Sequence, residues 1–182
     1  MAKSPTHKVP FKRRREKKTN YVKRLALVRS GKARLVVRRS NSNIYAQIVE
    51  FSPAGDKTIA SANGKDLSEF GWKTPSLGNI PSAYLVGYLL AKRTPVKEAI
   101  LDIGMQKPAK GGKLFAVLKG AVDGGMQIPF DKEAIPTEER ITGAHISGAP
   151  STFSLYKKSG ADPKAIPESF KATKEKILSK KE

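Results

Sequence analysis

A cluster of cationic side chains near the N-terminus is the feature of this sequence with the clearest chemistry. Residues 1–39 contain 15 lysines and arginines and one acid, Glu16, whereas the other 143 residues contain 20 basic and 15 acidic residues. The net charge is therefore +14 in the first fifth of the chain and +5 in the remainder. Clustered cations bind a phosphate backbone well, because each neutralised phosphate releases counterions. Nucleic acid is the expected partner.

The segment that carries most of these charges also has groups suited to base recognition. Asn20 offers an amide for hydrogen bonds, and Tyr21 offers a ring that can stack on an unpaired base. A solvated helix packed on the domain is the alternative, but it does not explain why acids are almost absent. The candidate phosphate-binding residues of this segment are Lys12, Arg13, Arg14, Arg15, Lys17, Lys18, Lys23 and Arg24.

A predicted β-hairpin continues this chemistry on a more rigid support. Residues 33–39 and 44–51 are rich in β-branched residues and are separated by a short polar turn, which favours two paired strands. Alternation along the first strand places Leu35, Val37 and Arg39 on one face and the intervening residues on the other. A flexible arm binds any RNA, whereas a rigid rim can select a shape. The candidate RNA-binding residues of the hairpin are Arg34, Arg38, Arg39, Asn41 and Asn43.

A third group of cations lies in a glycine-containing loop. Lys107, Lys110 and Lys113 flank Gly111 and Gly112 at the predicted start of a helix, where backbone N–H groups can receive a phosphate. The loop is not a nucleotide triphosphate site, because the first glycine of that motif is missing and a leucine replaces the hydroxyl residue that would hold magnesium. Phosphate binding by Lys110 and Lys113 and an ordinary solvated loop are equally compatible with this pattern.

Residues that could support catalysis are few and scattered. The chain has no cysteine, and its two histidines, His7 and His145, are far apart in sequence. This argues against thiolate or two-histidine metal sites and against a serine-histidine arrangement. We therefore expect no enzyme activity, no metal, no cofactor and no small-molecule substrate. The alternative is an RNA-modifying or RNA-cleaving enzyme that uses Asp102 or Glu50 as a general acid or base.

The elements that must position these residues predict an α/β fold. The basic segment is predicted to form one helix over residues 13–30, with Tyr21, Leu25 and Val28 as a thin apolar stripe. The order of the other elements predicts a mixed sheet, an antiparallel meander plus one further strand, with helices packed on it. Beyond the hairpin, strands are predicted over residues 57–62 and 98–103, and helices over residues 79–93, 112–124, 137–147 and 170–178.

Proline and glycine positions divide the chain into three expected parts. These are a basic N-terminal arm and helix over residues 1–30, an α/β RNA-binding core over residues 31–150, and a C-terminal extension over residues 151–182. In the extension, the apolar contacts are expected from Phe170, Ile177 and Leu178. Trp72, in the predicted loop 63–78, is expected to be a core or lid residue, with stacking on RNA as the alternative.

The apolar runs of the sequence are short. The longest, residues 83–91, is far below the roughly 18 residues that a membrane span needs, and no apolar signal core follows the N-terminal charges. We expect a soluble, cytoplasmic protein with no membrane partner.

Several separated blocks of the sequence resemble one known family. PFKRRREKKTNYVKRLALVRSGKARLVVRRSNSNIYAQIVEF (Pro10 to Phe51) is followed by GW at Gly71 and Trp72, EAILDIG at Glu98 to Gly104, KLFAVLKGAVDGG at Lys113 to Gly125, and EERITGAHI at Glu138 to Ile146. In this order they resemble the archaeal and eukaryotic form of large-subunit ribosomal protein eighteen, over about residues 1–150. The length favours an archaeal member, since eukaryotic relatives have much longer C-terminal ends.

This resemblance implies a structural protein that binds 5S rRNA in the central protuberance of the large ribosomal subunit. It implies an α/β core and a basic N-terminal extension that also contacts large-subunit rRNA. The KKTNY segment (Lys17 to Tyr21), which includes Thr19, and the hairpin around Arg38 and Arg39 would belong to the RNA-contacting surface. The implied protein neighbours are ribosomal protein five and the archaeal and eukaryotic ribosomal protein twenty-one.

The sequence also departs from the family pattern. Where relatives usually read PTKGS, this chain reads Pro108-Ala109-Lys110-Gly111-Gly112, which removes two hydroxyls and weakens the case for a specific contact there. Residues 151–182 match no part of the family. A non-specific polyanion binder, such as a chromatin protein, is the alternative function, and it explains the charge but not the many ordered elements.

Overall fold

The sheet confirms the predicted α/β architecture. The structure is a computed structural model that describes residue 6 and residues 8–149, 152–159 and 162–179. Its strands lie in the order β3-β2-β1-β4, with β1 and β2 and β2 and β3 antiparallel and β1 and β4 parallel. This is a meander plus one further strand, as the sequence indicates. The strands are β1 (Ala33–Arg39), β2 (Ile44–Glu50), β3 (Lys57–Asn63) and β4 (Ala99–Asp102).

Helices precede the sheet, cover one of its faces and continue beyond it. Short 3-10 helices occupy Gly64–Phe70, Lys132–Ala134 and Pro163–Ala165. The α-helices are α1 (Lys12–Arg15), α2 (Tyr21–Arg29), α3 (Ile80–Arg93), α4 (Lys113–Asp123), α5 (Glu138–Thr142), α6 (Ala144–Gly148), α7 (Ser154–Ser159) and α8 (Ile166–Ser179). None of the helices in this described part of the chain is long and apolar enough to span a membrane.

The N-terminal segment differs from the single helix predicted over residues 13–30. It forms α1 and α2, separated at Lys17, whose φ of 53° is incompatible with a continuous right-handed helix. Asn20 then starts the second helix by accepting a hydrogen bond from the Lys23 backbone N–H at 3.2 Å. The predicted apolar stripe is also wrong at Leu25, which is 52% exposed, because α2 instead turns Arg24 and Leu27 toward the sheet.

The hydrophobic core lies between the inner face of the sheet and helices α3 and α4. Leu35 and Val37 of β1 are fully buried there, and eleven of the fourteen residues of α3 are buried. The two helices pack closely because Gly87 faces the Val117 carbonyl and Gly120 faces the Tyr84 carbonyl. A side chain at either glycine would overlap backbone of the opposite helix, so this crossing depends on the absence of Cβ atoms.

The segment 63–78 is more ordered than the loop predicted for it. Asn63 and Asp66 form a reciprocal capping box that begins the 3-10 helix Gly64–Phe70. Trp72 follows, 1% exposed, and its indole N–H donates to the Ser82 hydroxyl at 2.8 Å. The core role expected for Trp72 is confirmed, and the alternative of stacking on RNA is excluded by its burial.

The C-terminal helices differ from the prediction in their division and their bounds. The helix predicted over residues 137–147 is divided into α5 and α6 by Gly143, whose φ of 86° ends the first helix. Helix α8 begins at Ile166 and buries Phe170 and Ile177 against the core. Leu178 is 53% exposed, so the expectation that it holds this helix is wrong.

A polar cluster fixes helix α8 to α3 and α4. The Tyr84 hydroxyl of α3 donates to Asp123 of α4 at 2.8 Å and accepts from Lys174 of α8 at 3.0 Å. The Lys174 ammonium also lies over the Tyr84 and Tyr88 rings, 5.2 and 5.4 Å from their centroids. Burial raises the pKa of Tyr84, and the neighbouring Asp123 raises it further, so this hydroxyl stays protonated and keeps donating.

Candidate nucleic-acid interface

A chain of ion pairs connects helix α2 to the outer face of the sheet. Asp56, directly before β3, accepts from Arg24 of α2 at 2.9 Å and from Arg34 of β1 at 2.6 Å. Arg34 also donates to Asp102, the last residue of β4, at 3.2 Å. Asp102 is 3.3 Å from Arg38 as well, and the Arg38 guanidinium donates to its backbone carbonyl at 2.7 Å. The network holds α2 in place although no residue of α2 is buried.

This network changes the role of Arg34, which the sequence placed among the RNA-binding residues. Arg34 is 3% exposed and its guanidinium is shared between Asp56 and Asp102, so it does not reach the surface where a phosphate could bind. Asn43 is a second such case. It is 5% exposed, and its side-chain oxygen accepts from the backbone N–H groups of Ile44 and Gly64. Arg34 and Asn43 therefore stabilise the structure beneath the candidate RNA-binding surface and are not themselves part of that surface.

The other cations of the N-terminal segment are exposed. Arg13 donates to the Thr19 hydroxyl at 2.9 Å and Lys18 pairs with Glu16 at 2.9 Å, which orders the connection between α1 and α2. Tyr21 packs against Phe11, with ring centroids 5.3 Å apart. Of the eight candidate cations of this segment, all of which the structure describes, six are exposed and have no ion-pair partner: Lys12, Arg13, Arg14, Arg15, Lys17 and Lys23.

The hairpin and the glycine-containing loop meet at one end of the sheet. Arg39, the exposed last residue of β1, lies close enough to Lys113, the first residue of α4, to affect its charge. Burial lowers the pKa of Lys113, and the positive charge of Arg39 lowers it further. Asn41 is exposed in the adjacent turn. We call Arg38, Arg39, Asn41 and Lys113 the basic rim.

Lys110 lies in the same loop but has a partner. Its ammonium is 2.7 Å from the Glu133 carboxylate, and both side chains are more than 70% exposed. An ion pair this exposed contributes little to stability and exchanges readily with other anions. Lys110 is therefore available to a phosphate, but it is not held in position for one.

Asp102 and His145, two of the residues considered for catalysis, have structural roles. Asp102 is 7% exposed and is saturated by Arg34, Arg38 and the Gly104 backbone N–H. His145 packs edge-on against Phe153, with ring centroids 6.3 Å apart. His7 lies outside the described residues. Across the part of the chain that is described, no three His, Cys, Asp or Glu residues are grouped as metal ligands would be.

Sequence reasoning missed two residues of this face, Asp56 and Gln47. Asp56 has some signal in the sequence, because an isolated acid in a chain with an arginine-rich strand favours an internal ion pair. Gln47, exposed on β2, had no signal beyond its outward position in the alternating strand. Both line the space between α2 and the sheet.

A comparison with protein families agrees with this basic surface on an α/β core. A sequence model matches the chain in two overlapping segments, residues 6–100 and 94–131, which together span more than half of it. The match identifies the chain as a structural protein of the large ribosomal subunit, associated with ribosomal RNA. It belongs to the family described as the ribosomal large subunit proteins 60S L5 and 50S L18, which is not an enzyme family.

Proposed function

We propose that this protein binds 5S rRNA and attaches it to the large-subunit rRNA in the central protuberance. The observation that carries the proposal is the pairing of two different cationic surfaces on one rigid core. The N-terminal segment supplies exposed, unpaired cations, and the basic rim supplies three cations and one amide, Asn41, at the end of the sheet. Exposed cations provide affinity through phosphate contacts, and groups fixed on the sheet provide selectivity for one RNA shape.

The charge balance of the basic rim supports a phosphate contact there. Burial lowers the pKa of Lys113, and repulsion by the nearby charge of Arg39 lowers it further. A phosphate between them would replace repulsion with two charge-assisted hydrogen bonds. The backbone N–H groups at the start of α4, where Gly112 provides no side-chain cap, favour an anion at the same place.

The three parts of the chain have separate proposed roles. Residues 1–30 form the RNA-binding arm, residues 31–150 the RNA-binding core, and residues 151–182 an extension whose helix α8 stays attached to the core. The proposed neighbours in the assembly are ribosomal protein five and ribosomal protein twenty-one. The protein acts in the cytoplasm, within the ribosome, and has no catalytic activity. The saturation of Asp102 by arginines supports this last point.

Competition binding tests the proposed RNA target. The full-length protein is titrated with 5S rRNA and with a structured RNA of equal length, between 50 and 200 mM salt, a range in which multi-phosphate contacts weaken by about 10³ or more. We expect a preference of about 100-fold or more for 5S rRNA that persists at the higher salt, because shape-selective contacts are less sensitive to salt. Equal affinity for both RNAs would instead support the non-specific polyanion binder.

The basic rim should control this preference. Replacing Arg38 and Arg39 with alanine removes two fixed cations, and we expect the preference for 5S rRNA to fall by about tenfold or more while binding to both RNAs persists through the arm. Lys65→Ala with Lys73→Ala is the matched control, because it removes two exposed cations outside the predicted surface. If both double variants lose selectivity equally, the rim does not select the RNA.

A further inference from the structure

A cleft separates helix α2 from the outer face of the sheet. Its volume is about 520 Å³, within the roughly 300–1,000 Å³ typical of small-ligand pockets. Residues of the α1–α2 segment form one wall, and β1, β2 and β4 form the other. The cleft exists because α2 is held to the sheet through the long side chains of Arg24 and Asp56 and buries no residue of its own.

The charge of the cleft selects an anion. Six cationic side chains line it, against two carboxylates, Asp56 and Asp102. Both carboxylates are already bound to arginines, so neither presents a free negative charge to the interior. Lys23 is exposed at the cleft and has no ion-pair partner among the described residues. A phosphate group entering the cleft would meet uncompensated positive charge.

Both walls of the cleft suit a planar group with a hydrogen-bonding edge. Leu27 of α2 and Val36 of β1 supply apolar surface from opposite sides, which a simple phosphate site does not need. Gln47 supplies a side-chain amide that, within the described structure, makes no hydrogen bond. An amide can donate to and accept from the edge of a nucleobase, while apolar side chains contact its face.

We propose that this cleft binds one unstacked nucleotide of the RNA partner. The base lies between Leu27 and Val36 with its edge toward Gln47, and the phosphate lies at the mouth, against Lys23. The inference rests on the proposed function, since it concerns the same RNA, and it adds a defined pocket to a surface otherwise made of exposed charges. An unpaired nucleotide fits because a paired base has neither a free face nor a free edge.

Nucleotide titration of the unmodified protein tests the pocket directly. Full-length protein with ¹³C-labelled valine and leucine methyl groups is titrated with the four nucleoside 5′-monophosphates and, separately, with inorganic phosphate. We expect saturable shifts of the Val36 and Leu27 methyl signals with nucleotide only, because a base shifts methyl groups that it contacts. The buried core residue Leu90 serves as the internal control. Equal shifts with phosphate, or no shifts, overturn the proposal.

A pair of tryptophan variants tests the pocket in RNA binding. Ala26→Trp fills the cleft without changing charge, because Ala26 is exposed on α2 and lines the cleft. Leu25→Trp is the matched control, on the same helix but directed to solvent outside the cleft. We expect Ala26→Trp to weaken 5S rRNA binding about tenfold, the effect of losing one stacked base, and Leu25→Trp to change it less than twofold.

The two proposals fail in distinguishable ways. If the unmodified protein does not prefer 5S rRNA, the proposed function fails, and the methyl titration still decides whether the cleft takes a nucleotide. If the preference holds but both tryptophan variants bind equally and the methyl signals stay unchanged, the cleft is not a nucleotide site and the proposed function stands. Circular dichroism of both variants establishes that each is folded.

Discussion

We expect replacement of Asp102 with leucine to lower the free energy of unfolding by about 3–5 kcal/mol. The carboxylate is 7% exposed and accepts from Arg34, Arg38 and the Gly104 backbone N–H. Leucine keeps the branching at Cγ but has no acceptor oxygens, so part of the Arg34 charge is left unpaired inside the protein, which is the costly outcome for a buried ion pair. Urea unfolding followed by circular dichroism measures the change, as a lower transition midpoint at unchanged slope.

A double variant separates the charge effect from a packing effect. Arg34→Met combined with Asp102→Leu removes both buried charges and leaves Asp56 with its partner Arg24. We expect the double variant to be more stable than Asp102→Leu alone, because no unpaired charge remains. A loss below about 1 kcal/mol for the single variant, or no recovery in the double variant, would contradict the role given to this network.

Replacing Gly87 or Gly120 with alanine should cost about 3 kcal/mol or more of stability for each variant. Overpacking in a core typically lowers stability by about 1–3 kcal/mol. We expect a loss at or above the upper end of this range here, because the new methyl group would meet backbone atoms and not a flexible side chain. At Gly87 the obstacle is the Val117 carbonyl, and at Gly120 it is the Tyr84 carbonyl. Thermal and urea unfolding both report the loss.

Gly148→Ala is the control for these glycine variants. Gly148 is likewise a helical glycine, the last residue of α6, but nothing lies within 4 Å of the position that its Cβ would take. We expect stability unchanged or slightly raised, since alanine is the better helix former. The double variant Gly87→Ala with Gly120→Ala should lose less than the sum of the two, because one separation of α3 from α4 relieves both overlaps. Strict additivity would mean that the two contacts do not share a helix crossing.

The sheet was the part of the fold that the sequence predicted best. The strand β1 was predicted with its observed ends, because β-branched residues fill it and a polar turn follows directly. The Ser40 to Asn43 turn closes as expected, with the Ser40 backbone N–H donating to the Asn43 carbonyl at 2.8 Å. Local chemistry determines such features, so a single sequence is enough to predict them.

The sequence did not predict the break between α1 and α2. No proline or glycine interrupts residues 13–30, so helical spacing alone favoured one helix. The positive φ at Lys17 and the cap at Asn20 end the first helix and start the second. The rotation of α2 then follows from Arg24 binding Asp56, a residue 32 positions away. A long-range contact of this kind overrides the weak apolar periodicity of the helix, and it cannot be predicted from that periodicity.

The sequence predicted the positions of the candidate RNA-binding residues along the strands, but it did not predict their tertiary contacts. Alternation correctly placed Arg34 on the face opposite Leu35, but it could not show that Asp56 and Asp102 cover Arg34 there. Proximity of Arg39 to Lys113 likewise arises only when β1 and α4 pack together. Charge composition predicts that a cationic surface exists, and tertiary contacts decide which of the cations belong to it.

Helix α8 has a consequence for how the protein is made. Lys174 contacts Tyr84, a residue 90 positions earlier, so at the usual 5–20 residues per second a ribosome needs roughly 5–18 s to synthesise the chain between them. During that interval the part of α3 that α8 covers, around Tyr84, is open, while the cationic arm has already been made. The nascent chain therefore offers polyanions a binding segment before its C-terminal helix has docked on the core.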